Sequence, residues 1–154
     1  MKKSLLLLLL IFVSHALFAD VEYEWEDYYL AFTLPNDFEV VQNDGEAFYA
    51  EGDAMEFGLF PFADPDLDTS DIAYFTLAIA ELVELDDVDE VELVELNGLE
   101  GAFVEGQKNG IRLILLGLID PESDTNFFAT IEFYDDDDIA VDAAVEIIES
   151  IYPY

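Results

Sequence analysis

EVELVELNGLEGAFVEGQKNGIRLILLGLI, residues 90–119, is the stretch on which the fold turns. Three apolar-rich runs (90–96, 99–107 and 111–119) are separated by Asn97-Gly98 and by Lys108-Asn109-Gly110. Asn-Gly between hydrophobic runs is the strongest short-range signal for a two-residue hairpin turn, so two consecutive hairpins are expected. The third run, IRLILLGLI, is apolar at successive positions rather than alternate ones. A strand of that composition belongs in the middle of a sheet, covered on both faces, and the run is too short to cross a bilayer as a helix.

Downstream, the turn DPESDT leads to another strand-like run, NFFATIEFY (126–134), and the chain closes on a helical stretch at about 138–151. Its apolar stripe is read as Val141, Ala144, Val145, Ile148 and Ile151. Upstream, YYLAFTLP (28–35), FEVVQ (38–42), AFYA (47–50) and AMEFGLF (54–60) are short runs punctuated by Pro, Gly, Asn and Asp, which read as antiparallel strands. Between the two strand groups, DIAYFTLAIAELVEL (71–85) changes period. Ile72, Phe75, Ile79, Leu82 and Val83 define an expected core-facing helix side, with Thr69 or Ser70 as the N-cap and Asp71 favoured by the helix dipole. Strands, helix, strands, helix, with most strands joined by hairpins, predict an α+β domain: an antiparallel sheet flanked by helices.

The first nineteen residues have a different character. Lys2 and Lys3 precede an apolar run from Leu5 to Val13, and small residues follow, with cleavage expected after Ala16 or Ala19. That is the pattern of a secretory signal peptide, and residues 20–154 would form one exported domain, periplasmic or secreted, with no membrane insertion after cleavage. Removal of the leader takes the single histidine, His15, and leaves two cations against 37 acids, a formal charge of −35. The chain has no cysteine, so disulfides and thiol chemistry are excluded, and without histidine so are Ser-His and Cys-His nucleophiles and the usual zinc sites. A surface so acidic repels nucleic acid and anionic membranes. Hydrophobic content of 53% argues against a disordered acidic tail. Acids spread from Glu22 to Glu149 suggest adaptation to salt, with cation binding as the rival explanation.

Four stretches invite a chemical reading. In YDDDDIAVDAAVE, a calcium loop beginning at Asp135 would place Asp137 at position 3 and Glu146 at position 12, but Ile139 and Ala140 fall at positions 5 and 6, where a ligand and a turn glycine belong. The helical stripe starts just behind, so a helix start is the better account. In DPDLDTSD, Asp64, Asp66 and Asp68 do have the 1, 3, 5 spacing of calcium ligands, in a loop before a helix; Thr69 stands where the glycine would be and Phe75 where the acidic twelfth residue would be. Lys108 and Arg112, across the Asn109-Gly110 turn, point to opposite faces and form no joint anion pocket; pairing with carboxylates such as Glu105 is expected. EYEWEDYY (22–29) sets Tyr23, Trp25, Tyr28 and Tyr29 among acids, either as a stacking or docking surface or, as we favour, an edge strand guarded by charge. A carboxylate-dependent hydrolase finds no distinguishing pair among so many acids.

Two segments carry a family resemblance. YYLAFTLPNDFEV, through Leu34, Pro35, Phe38 and Val40, resembles the opening of the PsbP-like and DcrB-like families. TNFFATIEFYDDDDIAVDAAVEIIESI, through Ile147, Ile148, Ser150 and Ile151, resembles their last strand and closing helix. The resemblance implies an antiparallel sheet sandwiched by helices, in an exported or lumenal, non-catalytic accessory or binding protein with a protein or small-molecule partner. None of that family's ligand residues is recognisable in this sequence, so no cofactor is implied; Ca²⁺ remains the one candidate, from the Asp-rich loop.

Overall fold

The computed structural model describes residues 20–134 and 137–154. Asp135 and the leader expected over residues 1–19 lie outside the described residues. The elements run β1 (Val21–Trp25), β2 (Leu30–Leu34), β3 (Glu39–Asn43), β4 (Phe48–Glu51), β5 (Met55–Ala63), α1 (Thr69–Leu82), β6 (Glu92–Leu96), β7 (Leu99–Lys108), β8 (Ile111–Ile119), β9 (Thr125–Tyr134), α2 (Asp138–Ser150) and β10 (Tyr152–Pro153). They form an antiparallel seven-stranded sheet, order β3-β4-β5-β9-β8-β7-β6, and a three-stranded sheet, order β1-β2-β10.

Both Asn-Gly turns close hairpins. Leu96 faces Leu99 and Lys108 faces Ile111, with Asn97, Gly98, Asn109 and Gly110 all at positive φ. That backbone matches the right-handed twist of the paired strands, and asparagine and glycine tolerate it. β8 is central and buried from Leu113 to Ile119, as its two-sided apolar run requires. β9 then inserts between β8 and β5, joining the two halves of the sheet through nine facing pairs on each side.

The two faces of the large sheet are covered differently. One meets β2 and α2 in a single core that holds Leu30, Phe32, Leu34, Phe48, Phe57, Leu116, Phe127, Ile131, Ala144 and Ile147. The other carries α1, which rests on β7 and β8. The expected flanking by helices is thus only part of the architecture: one layer is a small sheet with a helix alongside it, and Pro35-Asn36-Asp37 passes the chain from that sheet to the large one. The reason is that β2 buries both of its sides, and so serves as a layer of its own.

Three local expectations are corrected. Asp68, not Thr69 or Ser70, caps α1, its carboxylate accepting the amides of Ser70 at 2.8 Å and Asp71 at 2.9 Å. The helix ends at Leu82 because Glu84 turns left-handed and the Leu85 amide reaches back to the Ala80 carbonyl. Its buried side is Ile72, Thr76 and Ala80, while Phe75 and Leu82 are exposed. Small residues face the sheet because Gly117 lets the helix come close: a Cβ there would lie 2.5 Å from Ile72 Cγ1 and 2.6 Å from Thr76 Oγ1. Likewise α2 buries Ala140, Ala144 and Ile147, with Ile151 beyond it, and leaves Val145 exposed. Among the described residues no helix is long and apolar enough to cross a membrane.

Candidate functional site

The Asp-rich loop between β5 and α1 lies in a cleft of about 270 Å³. Asp64 and Asp68 line it, and the tertiary structure adds Glu100 from β7 and Asp120 from the β8–β9 turn. Asp66 is not among the lining residues. The carboxylates already have work within the fold. Asp68 caps α1, Asp64 Oδ1 accepts the Asp66 amide at 3.3 Å, and Asp120 Oδ1 accepts the Glu122 amide at 2.9 Å. Buried Asn126 pins the loop by donating to the Asp64 carbonyl at 2.8 Å. Of the second acidic stretch, Asp137 caps α2 by accepting the amides of Ile139 and Ala140 at 3.0 and 3.1 Å. Among the described residues, no three carboxylates converge closely enough to hold a metal ion.

A second site emerges from the register of the large sheet. On the face that carries α1, the helix rests chiefly on β7 and β8, and beyond the half-buried Phe62 and Phe128 the strands β9, β5 and β4 extend away from it. Glu39 of β3 faces Glu51 of β4, which faces Glu56 of β5, which faces Glu132 of β9, so four carboxylates stand in one row across adjacent strands. The next row toward the other end is Tyr49, Gly58 and Thr130, followed by Phe60 beside Phe128, and then Phe62 beside Asn126. Strand alternation puts all of these on one face. Phe60 is 40% exposed, a large ring left in solvent on a sheet surface. It lies across Gly58, where an added Cβ would come within 2.8 Å of the ring. Phe62 stacks on Phe128 at 4.8 Å, and both pack against the buried cluster of Ile72, Ala102 and Ile119.

The electrostatics of the row are unbalanced. Like charges directly opposite on neighbouring strands are destabilising. Burial raises the Glu132 carboxyl above its ordinary range, and the charge of Glu56 opposite pushes in the same direction. The Tyr49 hydroxyl donates to Glu56, and the phenol is raised far above its usual range, first by burial and then by that bond. Chemically this is one carboxylate held by a phenol beside another inclined to keep its proton. Such unlike pairs serve acid–base catalysis where they flank a bound substrate, but these stand on an open sheet face. A cation would relieve both carboxylates at once, and aromatic rings beside them would receive its apolar or planar part.

The remaining expectations can be placed. Gln107 faces Arg112 and Lys108 faces Ile111. Arg112 pairs with Glu105 at 3.0 Å and lies over the Phe133 ring, while Lys108 reaches the Val83 carbonyl at 2.8 Å and Glu84 at 3.4 Å. Lys108 is thus engaged at the end of α1, and the register sets Arg112 on the sheet face opposite the glutamate row. β1 is an edge strand. Trp25 is wholly buried and donates to the Asp44 carbonyl at 2.9 Å, with Tyr28 edge-on at 4.6 Å. The aromatic run is thus largely core, although Tyr29 is exposed. The glutamate row is hidden from the sequence because Glu56 and Glu132 are brought together by a long-range strand pairing; the one local sign is the alternation in MEFGLF and TIEFY, which sets each glutamate opposite the core side.

No protein-family model and no curated protein matches the sequence. Solved structures do resemble it. The Saccharomyces cerevisiae Ran-binding protein Mog1p superposes with a TM-score of 0.62 at 9% identity, over 88% of this chain and 95% of that one. LpqN, involved in cell envelope biogenesis of Mycobacterium tuberculosis, gives 0.55 at 17% identity, over 90% and 86%. A Bacteroides thetaiotaomicron protein gives 0.57 at 12% identity, over 86% of this chain, which spans about half (48%) of that longer one. These likenesses concern architecture alone, which this chain shares with Mog1p and LpqN.

Proposed function

We propose that this protein is an exported, non-enzymatic accessory or binding protein of one domain, residues 20–154 behind a cleaved leader. Its acidic surface keeps it soluble in salt, and its binding face is the uncovered half of the large sheet, which takes up a cationic group. The observation that supports the reading is the row Glu51–Glu56–Glu132, with no Lys or Arg among its strand neighbours and with the exposed ring of Phe60 two positions away. That one neighbour of the same fold binds Ran and another takes part in cell envelope biogenesis agrees with a binding role on this scaffold, as does the lack of histidine and cysteine after residue 19.

Two measurements test the reading. The melting temperature should rise steeply with NaCl or KCl and show no separate response to millimolar Ca²⁺; a flat salt response would overturn salt adaptation. Arginine amide, titrated into ¹⁵N-labelled protein, should shift the amides of Tyr49, Phe60 and Glu132 saturably. Shifts spread evenly over the surface would refute the site. The rival reading is a Ca²⁺-binding module on the Asp-rich loop, whose carboxylates do not converge among the described residues; saturable Ca²⁺ heat at physiological ionic strength would establish it.

A further inference from the structure

The vacant strip of the large sheet has the dimensions of a helix. From β9 to β4 is two inter-strand spacings, about 10 Å, and an α-helix with its side chains is about 10–12 Å across. α1 lies on β7 and β8, and the middle of the β5–β9 pair is also two spacings away. Packed helices stand about 8–10 Å apart, so a second helix laid over β5–β9 would touch the sheet and α1 together. A sheet face that buries one half beneath a helix and leaves aromatic rings on the other presents the surface such a layer normally covers.

Chemistry varies along the strip. One end is apolar, with Phe62 stacked on Phe128 against the cluster that includes Ile72 of α1, followed by Phe60. The other end is the glutamate row. Leu113, the next residue of that row, packs with Ala80 near the C-terminus of α1, so the negative end of the helix dipole lies on the same side. Lys108 Nζ already meets that helix end at the Val83 carbonyl, so the anionic potential at this end of the aromatic floor comes from the glutamate row.

Building on the binding face assigned above, we propose that the strip is a docking site for an amphipathic, arginine-bearing helix of a partner protein. Its apolar stripe lies on Phe60, Phe62 and Phe128 beside α1, and its arginines reach Glu51, Glu56 and Glu132. A second copy of this chain does not suit the site, because its own acidic surface would face the glutamate row.

The test uses three labelled 16-residue peptides in fluorescence anisotropy. The first has leucines at helical i, i+3, i+4, i+7 spacing with arginines between; the second has the same composition scrambled; the third replaces every arginine by glutamate. The helical arginine peptide should bind at least tenfold more tightly than either of the others. Phe60→Ala and Glu132→Gln should each weaken it at least fivefold, while Glu149→Gln on the opposite layer leaves it unchanged. Glu132→Gln conserves shape, so its result stands even if Phe60→Ala melts early. Equal binding of the scrambled peptide, with sensitivity to Phe60 and Glu132 retained, overturns the helix and keeps the cationic face. Binding insensitive to both substitutions overturns the face itself. No binding by the helical arginine peptide overturns the docked helix, and the arginine amide titration then reports separately on the face.

Discussion

Replacing Gly117 by alanine should loosen the layer that frames the binding strip. The new Cβ would stand 2.5 Å from Ile72 Cγ1, 2.6 Å from Thr76 Oγ1 and 2.7 Å from Ile72 Cδ1. Both side chains are wholly buried, and the Thr76 hydroxyl is tied to the Ile72 carbonyl at 2.7 Å, so neither has an open direction in which to yield. Ordinary carbon contacts need about 3.5 Å or more, so α1 must rise by roughly 1 Å. Overpacking of this kind costs about 1–3 kcal/mol, and a rigid neighbour on the helix places this site at the upper end. For a domain of this size that corresponds to a Tm lowered by roughly 10 °C. Differential scanning calorimetry measures it directly. Thr76→Ala should partly restore the double variant, giving a coupling above about 0.5 kcal/mol. A Gly117→Ala protein that melts within a degree or two of the parent, or a double variant with no coupling, would show that α1 does not rest on this contact.

Gly58→Ala makes a milder case: its Cβ meets the exposed Phe60 ring, which can swing away, and Thr130 Oγ1 at 2.9 Å, so stability should fall by about 1 kcal/mol while the floor of the strip changes shape. Asp68→Ala removes the α1 cap and should cost about 1 kcal/mol, read as a lower urea midpoint. Glu132→Gln should stabilise the protein by about 0.5 kcal/mol at neutral pH by removing a like-charge pair. Because the folded-state pKa of Glu132 is raised, its favourable contribution is full below the unfolded value and lost as pH rises through the folded one; the variant's stability should therefore fall less over that interval, and an unchanged pH profile would refute the assignment. Asp44 runs the other way. The Glu46 amide, then the Gln42 side chain, hold its carboxyl below the usual range, so its contribution is present above the unfolded pKa and lost as pH falls through the folded one; Asp44→Asn should flatten that acid limb in pH-dependent melts.

Local chemistry makes much of this fold legible in the chain itself. Asn97-Gly98 and Asn109-Gly110 specify their turns by the backbone they tolerate, so β6, β7 and β8 follow with their register. The two-sided apolar run of residues 111–119 marks a central strand, and Asp137 caps α2 where the change of period begins. Helix faces are less accessible. Phe75 and Leu82 fit a hydrophobic stripe, yet α1 turns Ile72, Thr76 and Ala80 inward, because close approach over Gly117 rewards small side chains and that glycine lies 41 residues further on.

What the sequence determined by itself was therefore everything carried by neighbours along the chain: turns, caps, the alternation of strand faces, and an acid-dominated charge. What only the tertiary structure decided was which strands meet. The pairing of β5 with β9 links residues some 70 positions apart, and that long-range register brings Glu132 beside Glu56, which the local β4–β5 pairing already sets opposite Glu51. It also set α1 chiefly over β7 and β8, with the glutamate row and Phe60 exposed to one side of it. Alternation tells each strand which side faces water, but it carries no information about the strand that will lie beside it, and the candidate site is made wholly of such juxtapositions.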